Sequence, residues 1–239
     1  MNAPLFRDRR AAGRRLAMAL GRFAPMAPVI LALPRGGVPV AYEIATSLHA
    51  PLDLLLVRKI GAPGNEEYGI GAVIDGADPQ LVLNEEAMKR LAPGPDYIRA
   101  EMHRQLAELE RRRRAYLGER PPPSLSGRTV ILVDDGIATG GTMKAALQGA
   151  RKARPERLIL AVPVAPRETL ETLRDTCDEI ICLATPHPFY SVGACYTNFD
   201  QTDDEEVQTL LHHAEHALAT SQSASHSSGR DEAPHPQDT

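Results

Sequence analysis

The sequence predicts an α/β fold of the doubly wound type, a mainly parallel sheet covered by helices on both faces. Three observations lead there. Short, almost wholly apolar runs at 29–33, 52–57, 129–133, 158–164 and 180–183 have strand length and no polar face, the pattern of strands buried on both sides. Helical patterns fill intervals between them, as crossovers joining parallel strands require. Two strand-to-helix junctions, 34–37 and 136–142, are rich in glycine, and ligands of such sheets collect at the carboxyl ends of the strands.

Along the chain, Leu5, Ala12, Leu16, Ala19 and Leu20 sit at helical spacing in an Arg-rich opening, which predicts an amphipathic first helix lying over the domain. That opening lacks the apolar core of a signal peptide, and no apolar run reaches the length of a membrane span. Strand 29–33 leads through Pro34-Arg35-Gly36-Gly37 into a helix patterned by Val40, Ile44 and Leu48. Residues 52–57 form a second buried strand, and 70–74 pairs with 80–83 across a turn at Asp75-Gly76. Helices follow at 85–91 and 96–117, the second long and highly charged, stopped by Pro121-Pro122-Pro123. On it, Glu108 and Glu110 precede Arg112 and Arg114 by four residues, so the run Arg111 to Arg114 reads as a solvated, ion-paired face rather than a phosphate patch. Strand 129–133, helix 141–153, strand 158–164, helix 168–174 and strand 180–183 complete a single domain over 1–218. Residues 219–239, mostly Ser, His, Pro, Gln and Asp, cannot bury enough apolar surface to offset ordering and read as a disordered tail.

With 239 residues, 43% of them hydrophobic, the chain can build an ordinary core. Charges of both signs are interspersed and the net charge is -4. No basic face, helix-turn-helix or membrane segment stands out, so nucleic acid and membranes are excluded as expected partners in favour of small molecules. Cys177, Cys182 and Cys195 have no metal-ligand spacing and make poor material for a disulfide framework. A reducing cytoplasm is the expected location.

Chemistry concentrates between Thr129 and Met143. The apolar strand delivers Asp134 and Asp135 to its carboxyl end, and Gly136-Ile137-Ala138-Thr139-Gly140-Gly141-Thr142 runs straight into a helix. Glycines permit a tight turn and close approach to a ligand. Free N–H groups at the helix start favour a phosphate, and two adjacent carboxylates can accept hydrogen bonds from neighbouring sugar hydroxyls or attract a metal-bound water. A P-loop would need Lys where Thr142 stands, and the dinucleotide pattern G-x-G-x-x-G is absent. The reading is a sugar-phosphate site.

At these residues the sequence resembles the type I phosphoribosyltransferases, whose signature is an apolar strand, two acidic residues and a T-G-x-T loop. The resemblance extends from about residue 5 to 218. It implies that Asp134 and Asp135 hold the ribose hydroxyls of phosphoribosyl pyrophosphate, and that Ala138, Thr139, Gly140, Gly141 and Thr142 hold its 5-phosphate. Arg35, Gly36 and Gly37, with Arg58 and Lys59 at the end of the second strand, would meet the pyrophosphate together with Mg²⁺, which the substrate carries and which could lie near Asp134 and Asp135. Residues 61–69 resemble the mobile loop that closes over the reacting centre, where Glu66 or Glu67 could act as base. Residues 185–199 correspond to a small hood in which Phe189, Tyr190 or Tyr196 would stack on an acceptor base; His187, between two prolines, reads as structural. The long helix 96–117 is an insertion.

The implied reaction transfers ribose 5-phosphate to a nucleobase or similar acceptor with release of pyrophosphate. Transferases for 6-oxopurines usually carry Asp just before the Thr-Gly, where this chain has Ala138; the wording looks more like that of adenine or orotate transferases, and the acceptor stays open. A non-catalytic sensor of phosphoribosyl pyrophosphate or nucleotides, or a hydrolase or synthase reusing the site, are the alternatives. Members of the family are often dimers, so a homodimer is one assembly the resemblance allows, and the oligomeric state stays open.

Overall fold

A computed structural model of the chain describes residues 4–227, without the side chains of Glu67 and 222–227. Helix α1 (Arg9–Leu20) starts at Asp8, whose carboxylate accepts from Ala11 N–H (2.7 Å), an N-cap that satisfies one orphan donor. Its buried face is Ala12, Gly13, Leu16, Ala17 and Leu20. Ala17 takes the place expected for Ala19, which is exposed, and Leu5 lies outside the helix on the surface. A short 3₁₀ turn over Gly21–Met26 leads to β1 (Val29–Ala32), α2 (Gly37–Leu48) and β2 (Leu52–Leu54).

The predicted strand 52–57 is in fact two. β2 ends at Leu54, and β3 (Val57–Ala62) begins a separate antiparallel sheet with β4 (Asn65–Ile74) and β5 (Gln80–Leu83). A uniform apolar run conceals the break, because both halves are buried and periodicity cannot reveal which partner each one takes. Residues 61–69 are correspondingly not an open loop. They form the end of the β3–β4 hairpin, turning at Pro63-Gly64, and Tyr97 Oη donates to Gly61 O (2.9 Å) from the long helix. Helices α3 (Glu85–Leu91) and α4 (Pro95–Leu117) follow, then β6 (Thr129–Val133), α5 (Gly141–Lys152), β7 (Arg157–Val164), α6 (Arg167–Leu173), β8 (Glu179–Ala184) and α7 (Asp204–Ser227). The last helix corrects the tail: residues 219–227 are helical, and 228–239 lie outside the described residues.

The main sheet is parallel throughout, in the order β2-β1-β6-β7-β8. Alternate residues of its strands enter two cores. Ile30, Ala32, Ile131, Val133, Ile159 and Ala161 pack with α1, α2 and α7, whereas Val29, Leu31, Val130, Leu132, Leu158 and Leu160 pack with α5 and its neighbours. Both faces are therefore covered, which is why the strands carry no polar side. The chain leaves β1 toward β2 and leaves β6 in the opposite direction toward β7, so the strand order reverses between β1 and β6, and a crevice opens at their carboxyl ends.

Candidate functional site

Leu33 N–H donates to Val133 O (3.0 Å), keeping β1 and β6 in register to the point where both turns begin. Gly36 and Gly37 then press against the acid pair. A Cβ on Gly37 would stand 2.8 Å from Val133 O and 3.0 Å from Asp134 Cα, and one on Gly36 only 2.1 Å from Asp135 Oδ2. A side chain at Gly37 is excluded by the backbone of Val133 and Asp134, and one at Gly36 would displace the Asp135 carboxylate.

Beyond Asp135, Ile137 N–H donates to Val164 O (2.9 Å) and Thr169 Oγ1 donates to Ala138 O (2.8 Å), tying the loop to β7 and α6. Gly140 precedes α5 at φ 80°, a left-handed conformation that glycine adopts without strain. No side chain caps this helix, and Ala138, Thr139, Gly141 and Thr142 are exposed. Its first N–H groups are thus presented outward, where an anion gains both hydrogen bonds and the helix dipole.

The acid pair is held from the other side by Arg9, which was not among the expected site residues, and by Tyr196, which was expected to stack on an acceptor. Arg9 Nε donates to Asp135 Oδ2 (2.7 Å), and Arg9 Nη1 donates to Asp200 O (2.7 Å). The same guanidinium lies 3.8 Å above the Phe199 ring. Tyr196 Oη donates to the Asp135 carbonyl (2.5 Å), while Asp135 N–H donates to Asp134 Oδ1 (2.8 Å). Burial, and after it the neighbouring Asp135 charge, lift the Asp134 carboxyl well above the usual range. Burial raises Asp135 as well, with Arg9 pulling the other way. The Tyr196 hydroxyl is pushed up by burial and then by Asp135, so it remains a donor.

A strand-end acid pair, a glycine turn fitted against it and an open helix start lie together at the carboxyl ends of β1 and β6, and residues 23–197 match the family described as "Phosphoribosyl transferase domain". The chain belongs to that family. Two curated proteins of Mycobacterium tuberculosis, strains CDC 1551 and H37Rv, each named "Putative phosphoribosyl transferase", are 45% identical to it over 215 residues, 90% of this chain and 48% of theirs. The chain thus spans about half the length of the curated relatives it matches. Among solved structures, TT1426 from Thermus thermophilus is 46% identical, with a TM-score of 0.74, covering 86% of this chain and 97% of that one.

Within this phosphoribosyl transferase domain, Asp134, Asp135, Gly36, Gly37 and residues 138–142 come together as the sequence suggested. Other expected site residues are turned elsewhere. Arg35 follows a cis Pro34–Arg35 peptide, and its Nη1 lies 3.6 Å from Asp204 Oδ1 at the start of α7. Arg58 sits inside β3, not at the end of a parallel strand; its Nε donates to Gln105 Oε1 (2.5 Å) and its Nη1 lies 3.8 Å from Glu108. Arg58 and Lys59 line a cavity of about 360 Å³ with Tyr97, Glu101 and Arg104. Glu66 faces Arg104 at 3.5 Å, and the Glu67 side chain lies outside the described residues.

The hood divides as well. Tyr196 is buried, stacked at 5.0 Å on Phe199 and tilted against Phe6 at 5.5 Å, so it packs the hood instead of facing an acceptor. Phe189 is partly buried in the same cluster. Tyr190 is 80% exposed, which leaves it open to a ring. His187 is exposed, ahead of a cis bond to Pro188.

Among the described residues no group of three or more His, Cys, Asp or Glu side chains is arranged to hold a metal ion. No described helix is long and apolar enough to cross a membrane.

Proposed function

We propose that the chain is a phosphoribosyltransferase that moves ribose 5-phosphate from the magnesium complex of phosphoribosyl pyrophosphate to a nucleobase or similar acceptor, releasing pyrophosphate. The observation that carries this reading is the fit of Gly36 and Gly37 against Asp134 and Asp135 beside the uncapped start of α5. Each feature has a task. The acid pair accepts the ribose hydroxyls, the exposed N–H groups and threonine hydroxyls of 138–142 take the 5-phosphate, and the 34–37 turn offers backbone to the pyrophosphate. Mg²⁺ enters with the substrate, and the carboxylate oxygens nearby suit a hard cation that keeps several of its waters. As pyrophosphate departs, positive charge grows at the anomeric carbon, so holding the ribose in line with the leaving group is the main catalytic contribution expected of these residues. Tyr190 is the aromatic whose exposure supports stacking on the acceptor, and Ala138 argues against a 6-oxopurine.

A sensing role is the second reading. It is favoured by one observation: the side chains of Arg35 and Arg58, which would have neutralised the leaving group, are directed to Asp204 and to Gln105 with Glu108.

The test is Mg²⁺-dependent pyrophosphate release across a panel of purine and pyrimidine bases with a no-base control, using Asp134→Asn/Asp135→Asn as blank. Transfer predicts release with one class of base and none from the double mutant, which stays folded but loses ribose phosphate binding. Release without any base would indicate hydrolysis. Tight binding of phosphoribosyl pyrophosphate without release would favour the sensor, and unchanged affinity in the double mutant would remove the site assignment.

A further inference from the structure

We propose that Arg9, with the amino-terminal segment that carries it, is part of the ribose-phosphate site, where it acts as the positioning residue for Asp135 and connects that carboxylate to the hood. This rests on the reading of Asp134 and Asp135 as the ribose-binding pair. It adds a component that the family match does not contain, since the match covers residues 23–197 and Arg9, Phe199 and Asp200 all lie outside it.

The geometry is specific. Leu5 N–H and Phe6 N–H both reach Cys195 O (2.9 and 3.1 Å), Thr197 N–H donates to Phe6 O and Asn198 N–H to Arg7 O (both 2.8 Å). These bonds lay the amino-terminal segment alongside the hood as a short parallel bridge between Phe6 and Tyr196. Helix α1 starts directly afterwards at Arg9, so the bridge fixes where the guanidinium enters the crevice. One side chain then meets three groups: the Asp135 carboxylate through Nε, the Asp200 carbonyl through Nη1, and the face of Phe199. A planar fork with several donors can do this, and a Lys ammonium cannot reproduce it.

A scaffold role alone accounts poorly for the pair. Arg9 and Asp135 keep only 12% and 14% of their side-chain surface exposed, and removing two charges from water to that degree costs about as much as their attraction returns. What the contact does achieve is orientation. A Cβ on Gly36 would stand 2.1 Å from Asp135 Oδ2, so the glycine leaves room for the carboxylate in this placement, and Arg9 is the cation that holds it there. Movement of the hood at Phe199 or Asp200 would move Arg9 and, through it, the oxygens offered to the ribose. The groups facing Asp135 are Asp134 from β6, Arg9 from α1 and Tyr196 from the hood; Arg9 is the cation among them.

Magnesium phosphoribosyl pyrophosphate is titrated calorimetrically into the full chain as wild type, Arg9→Met, Arg9→Lys, Asp135→Asn and the Arg9→Met/Asp135→Asn double variant, with thermal unfolding of each. Arg9→Met is expected to weaken binding on the order of tenfold or more, with Arg9→Lys in between. Because Arg9 acts through Asp135, adding Arg9→Met to Asp135→Asn is expected to cost little further affinity. If Arg9→Met binds like wild type, or if its loss is undiminished in the Asp135→Asn background, the inference fails. Should Arg9→Met not fold, Arg9→Lys carries the test: it retains the charge and lacks the fork, and wild-type affinity in it would equally overturn the proposal. Wild-type protein that bound no phosphoribosyl pyrophosphate would remove the proposed function and this inference together, whereas wild-type binding that ignores Arg9 removes this inference alone.

Discussion

Two tyrosines in the hood, six residues apart, do opposite work. Tyr196 donates its hydroxyl to the Asp135 carbonyl and is buried between Phe6 and Phe199, while Tyr190 is 80% exposed. Tyr196→Phe should therefore lower stability by about 1 kcal/mol, the usual net worth of one hydrogen bond, and loosen Asp135. Tyr190→Ala should leave the melting temperature essentially unchanged, as surface substitutions do, and raise KM for the acceptor. Thermal unfolding and acceptor kinetics on the two variants separate these outcomes; a destabilised Tyr190→Ala or a stable, fully active Tyr196→Phe would reverse the assignment. In sequence the aromatic cluster was visible as a cluster, but burial depends on residues 5–9 folding across it, and no local pattern encodes that.

At the scale of elements, the long helix α4 ties the small sheet to the large one. The run Arg111 to Arg114 reads as a solvated face, and three of its members behave so: Arg111 and Arg112 pair with Glu108, and Arg114 pairs with Glu110. Arg113 does not. It is nearly buried, with Nη2 2.7 Å from Asp53 Oδ1 at β2 and Nη1 3.1 Å from Asp75 Oδ2 after β4, and its buried Nε has no hydrogen-bond partner. Asp75 also accepts from Leu56 N–H (2.6 Å), at the junction where the strand run 52–57 divides. Arg113→Met would leave the buried Asp75 without a cation and Asp53 with Arg120 alone, 3.5 Å away, and a loss of about 3 kcal/mol is expected from equilibrium denaturation. Arg112→Met should cost far less, since exposed ion pairs contribute about 0–1 kcal/mol. Equal losses would show that Arg113 is as solvated as its neighbours.

For the whole molecule, the same cluster gives stability a pH dependence. Burial outweighs Leu56 N–H and Arg113 and lifts the Asp75 carboxyl to about 6, from an ordinary value of 3.8. An acid raised in the folded state binds a proton more readily there than when unfolded, so its contribution is full below about pH 4 and is lost as pH rises through about 6. Relative to Asp75→Asn, the wild type should lose on the order of 3 kcal/mol between those limits and change little above them. Parallel stability curves for the two proteins would show that Asp75 is not the group responsible.

Much of this architecture was legible without coordinates. The main-sheet strands near 29–33, 129–133, 158–164 and 180–183, helical crossovers and the acid-and-glycine turn after Val133 follow from short-range pattern, because a strand covered on both faces is apolar and a phosphate turn must be glycine-rich. That Gly36, Gly37, Asp134 and Asp135 serve one ligand was implied through family resemblance; that the glycines pack against the aspartates came from the structure, where the parallel register of β1 and β6 supplies the physical cause. Tertiary structure alone decided which partner each half of 52–57 takes, where Arg35 and Arg58 turn, and that Arg9 meets Asp135 across 126 residues of chain. Those outcomes depend on groups brought together by folding, each compatible with several local environments, so the competition among distant partners for burial and charge compensation settles them.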